Sequence, residues 1–415
     1  MPLLLPQEYA YPLPRLHRVR QHFDTVTLPR EEIPARIHAE FSRAEIREKL
    51  HPGARAAVAV GSRGIANLEC IVQCALNELR AAGVKPFIVS AMGSHGGGTE
   101  EGQREVLAAY GITEENLGVP VITDVGTVEL GRLADGTHVY FDRTAYEADI
   151  IIPINRVKLH TDFIGPLQSG IAKMLVIGLG NQRGCTEIHG TPSSHFAAVL
   201  EEAARMILRK APVGFGLAIL ENALDETAEL HALPRETLIE DEKKLVQKSI
   251  GYFPGLLLPS VDVLVMQEIG KDVSGAGFDP NIVGRSTARS EFLVPIPAIQ
   301  RMVLLDVTEA SHGNAIGIGL FDVVTENILP KIDFEAMYAN AIACRCVEDA
   351  RIPLQAKDED EAVRIALKLC RGVRPEQAKI VRIKNTLSLQ EIEVSDALLT
   401  EVEKNPRMER IQAEI

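Results

Sequence analysis

Ala56-Ala57-Val58-Ala59-Val60-Gly61-Ser62-Arg63-Gly64 is the stretch that decides the fold. Its first five residues are apolar without alternation. That is the pattern of a strand covered on both faces. A glycine-flanked turn follows. Residues 68–82 then repeat apolar positions at helical spacing and stop at Gly83. The unit recurs at 87–91, where a strand leads into a Gly-rich loop and a helix over about 100–110, and at 149–154, another buried strand. Such strand–turn–helix units predict an α/β fold with a parallel sheet.

A second set follows. A strand is predicted at 214–220, a charged helix at 235–248 and strands at 261–266 and 302–307. Helices are predicted at 314–328, 333–348 and 358–371, and a strand at 380–383 closes the second sheet. Tyr252-Phe253-Pro254-Gly255 reads as a junction. The expectation is two α/β lobes with mainly parallel sheets, residues 1–255 and 256–415, with the active site in the cleft between them. The polar tail after Asn405 is expected to fray.

Composition narrows the function. Across 415 residues, 57 acidic side chains exceed 44 basic ones, and the net charge of −13 argues against nucleic acid as the main partner. With 46% hydrophobic and 24% charged residues, the chain reads as an ordinary globular protein. No apolar run approaches the ~18–20 residues of a membrane span. The opening Met1-Pro2-Leu3-Leu4-Leu5-Pro6 is too short and too interrupted by proline for a secretory segment. Six cysteines are too few for a disulfide scaffold, and neither Cys70/Cys74 nor Cys344/Cys346 has zinc-site spacing. The expectation is a reduced, cytoplasmic protein with cysteines as small core residues; a homo-oligomer is compatible with the sequence.

The chemistry-bearing residues collect after predicted strands, where ligands sit in open α/β sheets. His95 lies in Gly93-Ser94-His95-Gly96-Gly97-Gly98-Thr99-Glu100. Glycines let backbone N–H groups approach a phosphate, and a histidine there suits proton transfer near pH 7. The alternative is a turn with a surface histidine. His160 follows Asn155-Arg156-Val157-Lys158-Leu159, a basic loop suited to an anion. Lys173, in Gly170-Ile171-Ala172-Lys173-Met174-Leu175, is a lone cation among small and apolar residues, where desolvation favours a nucleophilic amine. His189 is read as opening a long helix that includes His195 and is suited to ligate a metal. Arg63 can clamp a carboxylate or phosphate. In the second lobe Gln267, Lys271, Asp279, Asn281, Arg285 and His312 lie on polar loops.

These segments in this order resemble the nickel-dependent lactate racemase family, across about 55–195 and more weakly to about 325. The resemblance is carried by Ser62-Arg63, Gly93-Ser94-His95, His160, Gly170-Ile171-Ala172-Lys173 and His189. It implies a nickel-pincer nucleotide cofactor, a pyridinium mononucleotide holding nickel through one carbon and two sulfurs. Lys173 then matches its covalent anchor, His189 the protein ligand to nickel, His95 and His160 the two proton-transfer histidines, and Arg63 an active-site arginine. The resemblance also implies separate maturation enzymes as partners. The phosphate is expected against Ser94, Gly96 and Gly97. Lys158, Lys271, Arg285 and His312 are candidates for the substrate.

The chain departs from the family pattern in three places. Residues 160 and 173 are three positions further apart, with Pro166 and Gln168 between them. Val60 and Gly61 stand where an acidic residue is expected before Arg63. The second-lobe loop reads Gly277-Phe278-Asp279-Pro280-Asn281-Ile282-Val283-Gly284-Arg285, with Phe278 expected to face a bulkier substrate. The expectation is therefore a racemase or epimerase that inverts C2 of a 2-hydroxy acid other than lactate, through hydride transfer and a 2-keto acid. Two other readings stand beside it. A nicotinamide-dependent oxidoreductase is weakened by the missing G-x-G-x-x-G fingerprint. A nucleotide- or metal-binding protein without turnover is weakened by the competent side chains at all the key positions.

Overall fold

The computed structural model describes residues 4–23, 25–62 and 64–411, with Ser193 described by its backbone alone. Contacts divide the chain into two units, Thr25–Phe253 and Met1–Asp24 with Pro254–Ile415.

In the first unit, β2 (Arg55–Val60), β3 (Lys85–Ser90) and β7 (Ile150–Arg156) form the centre of a six-stranded sheet. β2 runs parallel to both neighbours, with Val58 opposite Ile88 on one side and Ile152 on the other. Every residue of β2 after Arg55 is buried, which is why the stretch contains no alternation. The helix Leu68–Ala81 buries Leu68, Ile71, Val72, Ala75, Leu76 and Leu79, one stripe at helical spacing. Gly83, at φ +76, lets the chain turn into β3. β4 (Val121–Ile122) and β8 (Phe215–Glu221) extend the sheet in parallel; β9 (Thr227–Pro234) ends it antiparallel to β8. A separate hairpin, β5 (Thr127–Arg132) with β6 (His138–Asp142), was not expected.

The second unit carries an eight-stranded sheet. β10 (Ser260–Ile269), β11 (Ala298–Val307), β12 (Val323–Thr325), β13 (Leu354–Ala356) and β14 (Ile380–Ile383) are parallel. β15 (Glu391–Ser395), β1 (Leu16–Gln21) and β16 (Met408–Arg410) continue it antiparallel.

Five expectations are corrected here. Residues 16–21 do not join the first unit, because β1 pairs with β15 and β16 in the second sheet. Residues 408–410 are a strand and not a frayed tail. β14 lies inside its sheet between β10 and β15, so it does not close it. The helix at 314–328 is absent; short turns flank β12 instead. The cysteines are not all core residues either: only Cys185 is buried, and Cys344 is exposed. Among the described residues no helix is long and apolar enough to cross a membrane.

Candidate active site

Because β3, β2 and β7 are adjacent and parallel, the loops after their C-terminal ends emerge side by side. These loops carry Ser62, His95 and His160. Ser62 Oγ hydrogen-bonds His95 Nδ1, and the Tyr110 hydroxyl donates to the Ser62 carbonyl at 3.3 Å. Arg63 lies outside the described residues.

The His95 loop is shaped by its glycines. Gly96, Gly97 and Gly98 all have φ near +65°. A Cβ on Gly96 would sit 2.5 Å from the Gly102 carbonyl carbon, and one on Gly98 would sit 2.6 Å from Gln182 Oε1. A Cβ on Gly97 would meet nothing within 4 Å, so an open cradle remains at that position. The helix behind the loop offers no anion site of its own. Thr99 caps it, accepting from the Gly102 N–H at 3.1 Å, and Glu100 and Glu101 occupy its first turn.

His160 is held at three points. The Gln168 side chain accepts from its backbone N–H at 2.7 Å, Asp162 N–H donates to Nδ1 at 3.0 Å, and Nε2 lies 2.6 Å from Lys173 Nζ. Gln168 is 1% exposed. It lies between His160 and Lys173 and gives the loop a buried support. Lys158 and Ser169 close the base of the loop through reciprocal backbone bonds at 3.0 and 3.1 Å.

Lys173 ends the short helix Ile171–Lys173, and a π-turn, Met174–Gly178, follows directly. The Leu179 N–H reaches the Met174 carbonyl at 2.8 Å, and such π-turns occur often at functional sites. The turn is zipped to the His95 loop. Gly93 N–H donates to the Gly178 carbonyl at 3.0 Å, and a Cβ on Gly178 would lie 2.6 Å from the Ala91 carbonyl oxygen.

His189 does not open the long helix. It is the last residue of the helix Asn181–His189, and His195 lies on the next one, Ser193–Lys210. A turn at 190–192 breaks the run that periodicity alone had joined. His189 Nδ1 donates to the Cys185 carbonyl at 2.8 Å, and Cys185 Sγ lies 3.4 Å from the same nitrogen and 3.6 Å from Ser94 Oγ. This leaves Nε2 facing away as a metal donor. Rings then link the two histidines, with His189 to Phe196 at 5.5 Å, Phe196 to Phe163 at 4.7 Å and Phe163 to His160 at 4.3 Å. Loss of water works against the charged forms of both His189 and Cys185. Their mutual contact outweighs it, raising the imidazole pKa above its ordinary value and lowering that of the thiol.

Two buried carboxyls support these turns. Asp142 accepts from the Ala145 N–H at 2.7 Å and from Asn181 Nδ2 at 2.9 Å, and burial pushes it up to about 6. Glu242 accepts from the Ala172 N–H at 2.8 Å, and burial pushes it up to about 8. A carboxyl raised in the folded state holds its proton where the unfolded chain has lost it. Its contribution to stability therefore falls as pH rises between about 4.5 and 8. Urea titrations at pH 5, 6, 7 and 8 are expected to show wild type losing stability relative to Glu242→Gln, by up to about 1.4 kcal/mol per pH unit. A difference that is flat across the series would mean an ordinary carboxylate.

In the second unit the named residues stand as follows. Lys271 Nζ donates to the Gly275 carbonyl and Asn340 Oδ1, both at 2.6 Å. His312 is exposed, in left-handed backbone at φ +47. Arg285 is engaged by Asp322 at 2.7 Å and by the Leu320 and Gln300 carbonyls at 2.9 and 3.0 Å. Phe278 does not face a substrate; it is fully buried, edge-on to Phe321 at 5.4 Å. Asp279 caps the buried turn Pro280–Val283, so this loop is part of the unit's core.

Among the described residues no group of three or more His, Cys, Asp or Glu side chains is placed to hold a metal. A metal at His189 would therefore take its other donors from the cofactor, as a pincer with one carbon and two sulfurs provides. A primary amine at Lys173, a one-donor imidazole at His189 and the open cradle at Gly97 fit such a group.

Residues 16–199, somewhat under half of the chain, match the family model of the lactate racemase N-terminal domain. All of the motifs that carried the resemblance lie inside that stretch, so the resemblance is borne out. The fold is similar to that of the lactate racemase apoprotein from Thermoanaerobacterium thermosaccharolyticum, with a TM-score of 0.55 and 13% identity, covering 93% of this chain and 96% of that one. It is also similar to a structural-genomics target from Thermotoga maritima, with a TM-score of 0.51 and 13% identity, covering 89% and 99%. At this identity the likeness shows a shared fold. No curated protein matches the chain.

Proposed function

We propose that this chain, similar to the lactate racemases over residues 16–199, inverts C2 of a 2-hydroxy acid. The observation that carries the reading is the 2.6 Å contact between His160 Nε2 and Lys173 Nζ, beside His189. It unites a proton-transfer group and a nucleophilic amine next to a metal donor.

When bound, a nickel-pincer nucleotide would supply a reversible hydride acceptor. Lys173 would hold it covalently, His189 through Nε2 would ligate its nickel, and the Gly97 cradle would take its phosphate. Once the Lys173 amine is engaged, His160 Nε2 is released to exchange a proton with the substrate hydroxyl. His95, its Nδ1 held by Ser62, does the same work for the opposite enantiomer. A planar 2-keto acid between the two can be returned to either hand. Lys158 beside His160 suits the substrate carboxylate, a charge-assisted contact that contributes ~1.5–3 kcal/mol. We place the protein in the cytoplasm, where separate maturation enzymes would load it.

The departures from the lactate racemase pattern favour a 2-hydroxy acid other than lactate, larger or more polar. The test is a panel of single-enantiomer 2-hydroxy acids, including aldonates, incubated with loaded protein in deuterated water. Inversion with C2 hydrogen retained is expected, because hydride returns internally. Full deuteration at C2 would point to a carbanion and refute hydride transfer. Lactate as the best substrate would refute the specificity.

A further inference from the structure

The helix Leu238–Tyr252 turns one stripe inward, made of Leu238, Ile239, Glu242, Leu245, Val246 and Ser249. Glu242 is the one carboxyl in the middle of that apolar face, and it is 0% exposed. Nothing in the proposed chemistry uses it. Burying a carboxyl is costly unless hydrogen bonds compensate it.

Its surroundings show what it serves. One oxygen accepts the Ala172 N–H at 2.8 Å, and the Ile171 N–H also bonds the carboxyl. Both are orphan donors in the first turn of the segment that ends in Lys173. The other oxygen, Oε1, is buried with no hydrogen-bond partner among the described residues. A Cβ on Gly170 would stand 2.1 Å from that oxygen. Gly170 itself is extended, at φ 172, so backbone strain does not demand glycine here; the space for Glu242 does. The Gly170 carbonyl is held from the opposite side by Asn155 Nδ2 at 3.0 Å. The turn is thus clamped between the end of β7 and the carboxyl of Glu242.

We infer that Glu242, admitted by Gly170, is a positioning residue that fixes the Ile171–Lys173 turn so that the Lys173 amine meets His160 Nε2. The inference deepens the proposed function, in which Lys173 is the anchor, but its geometry is independent of any bound cofactor. Without the carboxyl two buried N–H groups lose their acceptor and the turn relaxes. The amine then leaves His160 and is no longer held at one place, as on an ordinary flexible lysine.

The experiment is competitive acetylation of the unloaded protein at pH 7 with a limiting active ester. Labelling at Lys173 is read by peptide mass spectrometry against Lys384, whose side chain is 60% exposed in the other unit. Glu242→Ala is expected to lower the Lys173 rate relative to Lys384 at least about tenfold. Glu242→Gln, whose amide oxygen can accept the same N–H groups, should stay within about twofold of wild type. Gly170→Ala displaces the carboxyl sterically and should repeat the Glu242→Ala result, which keeps the test open if that variant does not fold. An unchanged Lys173 rate in folded Glu242→Ala or Gly170→Ala overturns the assignment, as does Glu242→Gln behaving like alanine. Since no cofactor or substrate enters the measurement, failure of the racemase reading would leave this outcome separately readable.

Discussion

Replacing Lys173 by alanine is expected to give a folded protein that acquires no covalent adduct when co-expressed with the cofactor-making enzymes. Wild type prepared in the same way should carry an added mass that maps to the peptide containing Lys173. The expectation follows from placement. Lys173 is half-buried at the end of a turn whose other side chains, Ile171 and Ala172, are fully buried. Its amine is the group presented to His160, at 2.6 Å. Alanine keeps the helix and removes the half-buried stem together with its amine, so the fold should persist while stereoinversion falls to background. Intact mass and nickel content decide the matter together. An adduct of undiminished yield in the variant would move the anchor elsewhere.

How much of this was written in the sequence depends on burial. β2, β3 and β7 were legible because strands covered on both faces are unbroken apolar runs. The antiparallel strands were not. In β1 the triplet Arg18-Val19-Arg20 opposes Glu391-Ile392-Glu393, so polar residues dominate and the pairing partner lies more than 370 positions away. The stretch 314–328 misled because Ala315, Ile316, Ile318 and Phe321 imitate helical spacing. Gly317 and Gly319 instead pass other backbone so closely that a Cβ would lie 2.3 Å from the Ala276 oxygen and 1.9 Å from the Glu348 oxygen. Within the site, His95, His160 and Lys173 were found because each follows a predicted strand or a glycine. Glu242 was missed inside Glu240-Asp241-Glu242-Lys243-Lys244, although helical spacing sets it on the stripe of Leu238, Ile239, Leu245 and Val246. Gln168 was noticed only as one of the residues between His160 and Lys173. Its work on the His160 backbone is a tertiary contact that no local pattern announces.

The second large effect concerns His95 and His160. Replacing either by glutamine is expected to slow stereoinversion by ~10²–10⁴-fold, the usual size of a general acid–base contribution, with nickel retained. Neither ring is placed as His189 is. His160 has Nδ1 tied to the Asp162 N–H and Nε2 to Lys173, and His95 has Nδ1 tied to Ser62, so both are oriented for proton exchange. If the two serve opposite faces of one carbon, the variants should differ in kind. Each should still oxidise one enantiomer to the keto acid in a single turnover, trapped as its hydrazone, and fail with the other. Two variants that lose the same enantiomer would leave only one of these histidines as the acid–base group. Loss of nickel from either folded variant would make that histidine a ligand.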